Sequence, residues 1–504
     1  MKVIAFYLPQ FHKVPENDQW WGEGYTEWTA VKAAEKLYEN HYQPHIPLND
    51  NYYDLMQKDT MLWQLELMKK YNVYGMCFYH YYFQNGRKIL EKPAENLLKW
   101  KNIDMPFCFS WANVTWSRTW SKISANTWNK YLDEKKHCES DDGVLLLQDY
   151  GGEKEWEDHF NYLLPFFKDE RYIKKEGNPI FLIYQPDHII NFPQMKEKWN
   201  ALAQKNQLQG ICFVATNSDR EGFDAYLRQE PAYSGGIRKK VIWDYDKFVD
   251  KMLENAVLAQ KNCYLCGLTG FDETPRQGES SKIIDNSSPQ KFYQYMRKLF
   301  WLGDKKGNTF TFVNAWNEWG EGMHLEPDEK YRYGYLEALK KALSDYHELD
   351  ENAKHELQEL IKESNTNREN ELEKSQIKRA NAYMRLYDKW LYAKECEKNL
   401  QTYFEDMGYG RIAIYGLGRA GRHLQADLEK AGIRIEYGID RMGEMWKDSF
   451  PVYKPDEALP IVDAIVVTVI YDFDSVYQEL KGKFSRPIIS LEEIVDYVVN
   501  KSQE

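Results

Sequence analysis

The chain has 504 residues and a formal net charge of −12 at pH 7. This length exceeds what one ordinary core covers, so we expect two or three domains. The negative charge argues against nucleic acid as a partner, because a nucleic-acid-binding surface has to be basic. No apolar run approaches the ~20 residues of a membrane span, and residues 1–8 are too short and too quickly polar for a signal peptide. We therefore expect a cytoplasmic protein.

The first 343 residues alternate between short apolar runs and amphipathic stretches. Seven apolar runs predict strands, at residues 3–8, 73–79, 107–110, 180–184, 211–216, 263–268 and 310–314. A weaker run at residues 232–236 is expected to be the eighth. Helices are predicted between them, at residues 54–71, 156–167, 194–205, 245–259 and 288–302. Apolar strands separated by helices predict a (β/α)₈ barrel over residues 1–343, with an open doubly wound sheet as the alternative.

Polar and aromatic side chains recur directly after the predicted strands and in the long loop that follows the first one. Barrel enzymes place their sites at this end of the strands, which favours the barrel over the open sheet. A structural role, as a plug of the barrel mouth or as a hydrogen-bonded histidine, is the alternative for several of these residues. The candidates for substrate binding are Gln10, His12, Trp28, His45, Tyr79, His80, Trp111, Asn113, Asp272, Arg276, Asn314, Trp316, Asn317 and Trp319.

Two glutamates, Glu318 and Glu321, follow the last predicted strand of this region. Residues three apart in a continuing strand face opposite sides. Gly320 and Gly322 break the strand, so a turn can bring both carboxyls to one side, ~5–9 Å apart as in paired-carboxylate glycosidases. The interleaved tryptophans and asparagines suit the apolar faces and polar rim of a sugar. We predict that the pair is catalytic; the alternative is a surface loop with solvated acids.

Residues 344–406 differ in composition from the region before them. Charged and amide side chains dominate, and neither proline nor glycine occurs. This pattern predicts a helical linker of one or two long helices.

Residues 407–504 predict a small Rossmann-like α/β domain. A strand is followed by a glycine-rich turn, with Gly416, Gly418 and Gly421, and then by a helix. Asp440 ends the next strand, about twenty residues on. Such a turn lets backbone N–H groups approach a pyrophosphate, and the acid can hold a ribose, so a nucleotide or sugar nucleotide is the expected ligand. The alternative is a turn retained for packing alone.

Several stretches of the first region resemble, in the same order, the motifs of WbsX-type, glycoside hydrolase family 99-like domains. They are residues 7–12, 24–28, 43–45, 78–82, 270–276 and 314–322. The resemblance covers residues 2–343 and implies a (β/α)₈ barrel. It also implies a bacterial role in O-antigen, lipopolysaccharide or capsule biosynthesis, where such domains are often described as glycosyltransferases. The C-terminal domain is similar, more loosely, to nucleotide-binding modules of sugar-modifying proteins.

The resemblance also implies roles for the glutamate pair. Family 99 proper comprises retaining endo-α-mannosidases with a Glu-x-x-Glu pair, which corresponds to Glu318 and Glu321. Carried over, Glu318 acts as a base on the 2-hydroxyl of the substrate, and the sugar forms a 1,2-anhydro intermediate. Glu321 protonates the leaving oxygen and later activates water, for which its pKa should be raised.

We expect a carbohydrate-active enzyme that acts on glycosidic bonds in cell-surface polysaccharide biosynthesis. One alternative is an endo-acting, α-mannosidase-like hydrolase, and a second is a non-catalytic glycan-binding or assembly protein. The expected partner is a glycan or glycan precursor, with peripheral association with the polysaccharide assembly machinery as an option. The barrel is expected to need no cofactor, and no metal site is predicted.

Overall fold

The computed structural model describes residues 1–117, 144–235, 242–259, 262–440, 450–455 and 457–501; of residues 117, 144, 363–375 and 378 it describes the backbone only. The chain forms two compact units, Met1–Ser364 and Asn365–Glu504.

Eight parallel strands of the first unit close into a barrel. They are β1 (Lys2–Tyr7), β2 (Gly75–His80), β3 (Phe107–Trp111), β4 (Asn178–Ile183), β5 (Cys212–Thr216), β6 (Ala225–Arg228), β7 (Cys263–Leu268) and β8 (Phe310–Asn314). Each strand pairs with the next along the chain, and β8 pairs with β1 to complete the ring. The predicted (β/α)₈ barrel is therefore confirmed.

The eighth strand was predicted at the wrong position. Residues 232–236 were expected to form it, but the structure has a short helix there, Ala232–Gly235, and the strand is β6 at Ala225–Arg228. β6 has only four residues and ends in a charged side chain. It also follows β5 through residues 217–224, which contain no helix, so the alternation of strand and helix that guided the prediction is broken at this point.

Helices fill most of the connections between the barrel strands. Pro289–Lys305 shows why they form: the Ser288 hydroxyl accepts a hydrogen bond from the Lys291 N–H at the first turn, and one face of the helix is buried. Among the residues that the structure describes, the α-helices that lie wholly in this unit are Pro15–Trp21, Glu27–Ala33, Lys58–Lys70, Lys92–Lys99, Glu153–Phe167, Phe192–Lys205, Ala232–Gly235, Tyr245–Leu258, Thr274–Gln277, Pro289–Lys305 and Gly334–Asp345.

The predicted linker contains one helix of 45 residues, Glu351–Glu395, and a shorter helix, Gln401–Met407. The long helix includes the boundary between the two units at Ser364.

The second unit is built on an open sheet of five parallel strands. They are β9 (Arg411–Tyr415), β10 (Arg434–Ile439), β11 (Val452–Tyr453), β12 (Ala464–Val467) and β13 (Ile488–Ser490), in the order β11-β10-β9-β12-β13. Besides Gln401–Met407 and the later part of Glu351–Glu395, the α-helices described in this unit are Arg419–Lys430, Phe473–Leu480 and Leu491–Asn500. Side chains of β9 enter apolar clusters on both faces, Ile412 and Ile414 in one, Ala413 and Tyr415 in the other. The sheet is therefore covered on both sides, as parallel sheets are.

Within the described ranges, none of the helices combines the length and the apolar character that crossing a bilayer requires.

Gly75, the first residue of β2, provides a test of barrel packing. A Cβ atom there would lie 2.7 Å from Ile173 Cδ1 and 2.9 Å from the Pro106 carbonyl oxygen. We expect Gly75→Ala to lower the free energy of unfolding by on the order of 1–3 kcal/mol, measured by urea denaturation. Gly152→Ala is the control, since its Cβ would meet nothing closer than 3.8 Å. Equal stability of the two variants would contradict this packing.

Candidate active site

A cavity of about 340 Å³ lies at the carboxyl ends of the barrel strands. Residues that end or directly follow strands contribute to its wall: Leu8, Tyr79, Ala112, Tyr184, Gln229 and Asn314. Much of the rest is aromatic, from Trp21, Tyr25, Tyr81, Trp116, Trp243 and Phe271. The acids of the wall are Glu27, Glu230, Glu318 and Glu321. The cavity thus combines flat apolar faces with a few charged groups, the composition that binds sugars.

The two catalytic candidates lie on a hairpin that follows β8. Asn317–Glu318 pairs antiparallel with Met323–His324. A 3₁₀ turn, Trp319–Glu321, joins the two short strands, and Gly322 ends the turn in the left-handed region at φ 63°. The turn places both carboxyls on the cavity wall, as the glycine-broken strand predicted.

The hairpin is anchored by side chains that were predicted to bind substrate. The Asn317 carboxamide accepts a hydrogen bond from the Leu8 N–H at 2.8 Å and donates to the Leu8 carbonyl at 3.1 Å. The Trp319 indole N–H donates to Glu326 Oε2 at 2.8 Å. Trp316 is fully buried, and its backbone N–H donates to the Phe6 carbonyl. The side chains of Trp316, Asn317 and Trp319 do not line the cavity. They hold the hairpin against the barrel.

Arg276 binds three carboxylates at once. Its Nε donates to Glu27 Oε1 at 2.6 Å, its Nη2 to Glu318 Oε1 at 2.6 Å, and its Nη1 to Glu321 Oε1 at 2.5 Å. The two catalytic candidates therefore share one guanidinium, which limits the distance between these two oxygens to ~7 Å, an upper limit that overlaps the ~5–9.5 Å range of paired-carboxylate enzymes. The sequence predicted Arg276 as a substrate-binding residue and did not predict its contacts with the three carboxylates, of which Glu27 was not a candidate.

Gly320 allows this close approach. A Cβ atom there would lie 1.8 Å from Glu27 Oε1 and 2.9 Å from Arg276 Nε. Any other residue would displace the carboxylate or the guanidinium, so the glycine inside the Glu-x-x-Glu segment is required for the charge cluster as well as for the turn.

The charge cluster favours retention of a proton. One positive charge faces three acids in a buried site, and burial raises the pKa of Glu318 to about 8, with Glu321 and Glu27 adding to the rise and Arg276 opposing it. Burial also raises the pKa of Glu321 above its usual value of 4.5, again against Arg276. Two acids with raised pKa values beside one arginine form a site that can both give and accept a proton near neutral pH.

Three further candidates line the same cavity: Gln10, Tyr79 and Asn314. The Tyr79 hydroxyl accepts a hydrogen bond from Gln229 Nε2 at 2.8 Å, and Asn314 Nδ2 donates to the Glu230 carbonyl at 2.6 Å. Glu230, another acid that sequence reasoning missed, has a pKa raised to about 7 by burial, and both of its carboxylate oxygens accept hydrogen bonds from Ser234.

Four candidates form structural hydrogen bonds near the barrel mouth and do not line this cavity. The His80 and His159 Nε2 atoms are 2.8 Å apart in a buried pair. The Trp111 indole donates to the Tyr82 carbonyl, and the Trp28 indole to the Tyr53 carbonyl. The Asn113 carboxamide accepts from the Gln185 N–H at 2.7 Å and donates to the Gln185 carbonyl, and so extends the pairing beyond β3. These bonds account for all four without a ligand.

The remaining candidates of the barrel lie elsewhere. His12 is buried and borders an open hollow beside helix Glu27–Ala33. His45 and Asp272 line a second cavity, of about 470 Å³. Asp272 is fully engaged there: Oδ2 accepts from His41 Nε2 at 2.7 Å and from Gln43 Nε2 at 2.6 Å, and Oδ1 accepts from the Thr274 N–H.

The glycine-rich turn of the second unit joins β9 to helix Arg419–Lys430. Gly416 has a φ of +87°, and a Cβ at Gly421 would lie 2.3 Å from the Gly416 carbonyl oxygen, so both glycines serve the turn itself. Gly418 differs, because a Cβ there would meet nothing within 4 Å. Asp440 Oδ2 accepts a hydrogen bond from the Leu417 N–H at 2.9 Å.

A (β/α)₈ barrel with acids and aromatic faces at the carboxyl ends of its strands has the architecture of carbohydrate-active barrel enzymes. Residues 3–339 match the model of the family described as glycosyltransferase WbsX. The chain belongs to this family of carbohydrate-active enzymes, as the sequence motifs predicted.

Two curated relatives, the uncharacterized WxcX proteins of two strains of Xanthomonas campestris pv. campestris, are 29% identical to this chain over 364 residues. The match covers 68% of this chain and 49% of each relative, so the chain spans about half the length of the curated relatives it matches. Among solved structures, the barrel is similar to a GH99 endo-α-mannosidase from Bacteroides thetaiotaomicron, with a TM-score of 0.42 and 12% identity, covering 69% of this chain and 97% of that one. A glycoside hydrolase-like protein gives a TM-score of 0.44 and 12% identity over 68% of this chain and 93% of that one.

The raised pKa of Glu318 predicts how stability depends on pH. The folded state holds this carboxyl protonated up to about pH 8, whereas the unfolded chain releases the proton near 4.5. The native state thus binds more protons in this window, and stability falls as pH rises through it. We expect the free energy of unfolding of Glu318→Gln, measured in urea, to exceed that of the wild type by on the order of 1–3 kcal/mol at about pH 8.5. Near pH 5 the two free energies should be equal.

The exposed Glu279, in the same loop region as Arg276, is the matched control. Glu279→Gln should follow the wild type at both pH values. A Glu318→Gln variant that is no more stable than the wild type at high pH would mean that the carboxyl is ionised without cost in the folded state.

Proposed function

We propose that the barrel transfers a glycosyl group in the biosynthesis of a bacterial cell-surface polysaccharide, with Glu318 and Glu321 as the reacting pair. The observation that supports this most is the shared guanidinium: Arg276 holds both carboxylates on the wall of an aromatic-lined cavity of about 340 Å³. A glycan-binding protein that only holds its ligand has no use for a buried acid and a partly exposed acid that both have raised pKa values.

The first half of the proposed reaction makes the 1,2-anhydro sugar. In the reactive form of the pair, the proton lies on Glu321 and Glu318 is ionised. Glu318 takes the proton from the 2-hydroxyl as that oxygen bonds to C1, and the bond from C1 to the leaving oxygen breaks. Glu321 gives its proton to the leaving oxygen. The side chain of Glu318 is 6% exposed and that of Glu321 29% exposed, which agrees with an inner base and an acid nearer the leaving group.

The second half returns both protons. Glu321 takes the proton of the incoming hydroxyl as its oxygen bonds to C1, the bond between C1 and O2 breaks, and Glu318 gives its proton back to O2. The incoming hydroxyl belongs to an acceptor sugar in transfer and to water in hydrolysis. Arg276 stays bound to the carboxylates, so its charge stabilises whichever acid is ionised at each stage.

The test is to replace each glutamate separately and to follow turnover of isolated surface polysaccharide and its lipid-linked precursor. We expect Glu318→Gln and Glu321→Gln each to lose at least about 10²-fold in kcat while still binding the glycan, because a general acid or base contributes ~10²–10⁴-fold. Glu279→Gln should retain full turnover.

Unchanged turnover in both variants would remove the catalytic role of the pair and leave glycan binding as the function. Analysis of the products with and without an added acceptor saccharide separates the two reactions: extension of the acceptor supports transfer, and release of a reducing sugar in its presence supports the hydrolase instead.

We propose in addition that the second unit binds a nucleotide or sugar nucleotide at the turn 416–421. The supporting observation is the open space beside Gly418, at the start of helix Arg419–Lys430, where a phosphate can approach backbone N–H groups. The strand order of the sheet, with its first strand at the centre, also supports the proposal, because doubly wound folds bind phosphates at the turn that follows such a strand.

Gly418→Val should abolish the binding of a nucleoside diphosphate or a sugar nucleotide, measured by calorimetry on the full chain. Valine fits the local backbone, whose φ is −63°, so the fold should persist while its side chain blocks the phosphate. Gly482→Val, at another open position, is the control. Equal binding by wild type and Gly418→Val would show that the turn serves packing only.

A further inference from the structure

Three metal-ligating side chains from distant parts of the chain meet at the second cavity of the barrel unit. His45, His324 and Asp328 each offer one ligand atom, and these atoms lie within 4.8 Å of one another. His45 Nδ1 is 2.9 Å from His324 Nε2, and His324 Nε2 is 3.9 Å from Asp328 Oδ2. We propose that this cluster, the His-His-Asp site, binds a divalent first-row transition metal ion such as Zn²⁺.

The surroundings of the site fix the ligand atoms in position. His324 Nδ1 donates to the Glu326 carbonyl at 3.0 Å, which leaves the lone pair of Nε2 directed at the other two ligands. Asp328 Oδ1 accepts from the Tyr331 N–H at 2.5 Å, and the Tyr42 hydroxyl donates to Oδ2 at 3.3 Å. Metal ligands are characteristically held by such outer hydrogen bonds.

The spacing suits a small ion. Ligands at ~2.0–2.1 Å from a tetrahedral metal are about 3.3 Å apart, between the two distances observed here. Binding replaces the hydrogen bond between the two imidazoles, and the proton of that bond moves to His45 Nε2 or to solvent. Two nitrogen ligands and one oxygen favour zinc and its neighbours over Mg²⁺ or Ca²⁺, and the adjoining cavity of about 470 Å³ admits water as a fourth ligand.

A hydrogen-bonded chain from His45 through His324 to the Glu326 carbonyl is the competing explanation for the same geometry. This chain requires the two imidazoles, but Asp328 is not one of its members. The carboxylate, at 3.9 Å from His324 Nε2, is too far for a hydrogen bond and well placed for a shared ion. The contribution of Asp328 therefore distinguishes the two.

The site has a direct structural link to the catalytic hairpin. His324 pairs with Asn317 in the hairpin that carries Glu318 and Glu321. Its ring also stacks on Trp319, with centroids 3.7 Å apart and planes 10° from parallel. A metal held by His45 and Asp328 fixes His324 and, through it, the return strand of the hairpin. The ion is thus a positioning element of the active site and takes no part in bond making.

The experiment uses the full chain without a polyhistidine tag, stripped with a chelator and titrated separately with Zn²⁺ and Co²⁺. The wild type should bind one equivalent of either ion, show the visible absorption of tetrahedral Co²⁺, and gain thermal stability with Zn²⁺. His45→Ala and Asp328→Asn should each lose this binding. Tyr42→Phe, which removes one outer hydrogen bond, should weaken affinity by about tenfold.

The control is His188→Ala, which removes an exposed histidine of the same unit and should bind as the wild type does. Thermal unfolding of each metal-free variant shows whether it is folded. If His45→Ala does not fold, Tyr42→Phe still tests the proposal. Absence of a saturable single site in the wild type overturns the proposal. Binding that is the same in the wild type, Asp328→Asn and Tyr42→Phe overturns it as well, and assigns the imidazole pair to hydrogen bonding alone.

Discussion

The Arg276 guanidinium is the contact on which the active site depends. It joins a loop after β7 to Glu27 in the first long loop and to both glutamates of the hairpin after β8. Without its charge, three acids would face one another in the cavity, and burial and mutual repulsion would favour their neutral forms. With it, Glu318 and Glu321 still have raised pKa values, because burial outweighs the attraction of the guanidinium. The same contact holds the hairpin and the first long loop together at the cavity wall.

Residues around this cluster divide into those that face the cavity and those that fix its walls. Tyr79 and the two glutamates face it, whereas Asn317 and Trp319 tie the hairpin to β1 and to Glu326. Much of the aromatic excess of the chain is of the second kind: indoles and phenols that are buried and donate hydrogen bonds to backbone or carboxylate.

The sequence predicted most of the fold because seven barrel strands are continuous apolar runs, which a parallel sheet requires. It misplaced the eighth because β6 is short, ends in Arg228 and follows β5 without a helix. Turn chemistry predicted that both glutamate carboxyls reach one side of the chain, and both line the cavity; their catalytic role stays a prediction. The contact between Glu27 and Arg276 was missed because 249 residues separate them in the chain. The contact between His45 and His324 was missed for the same reason, since 279 residues separate these two. Periodicity carries no information about contacts at such separations, which only the closed barrel brings together.

The central claim is that the carboxylates on Arg276 hold a proton at neutral pH. Infrared difference spectroscopy of the protein labelled with ¹³C at the glutamate carboxyl tests it most directly, because protonated and ionised carboxyls absorb separately. The account predicts a protonated carboxyl contribution near pH 7 that disappears on raising the pH and is lost when Glu318 and Glu321 are both replaced by glutamine, whereas the contributions of Glu230 and Glu326, whose pKa values are raised to about 7, remain. A spectrum in which that double replacement removes only ionised carboxylate would contradict the account.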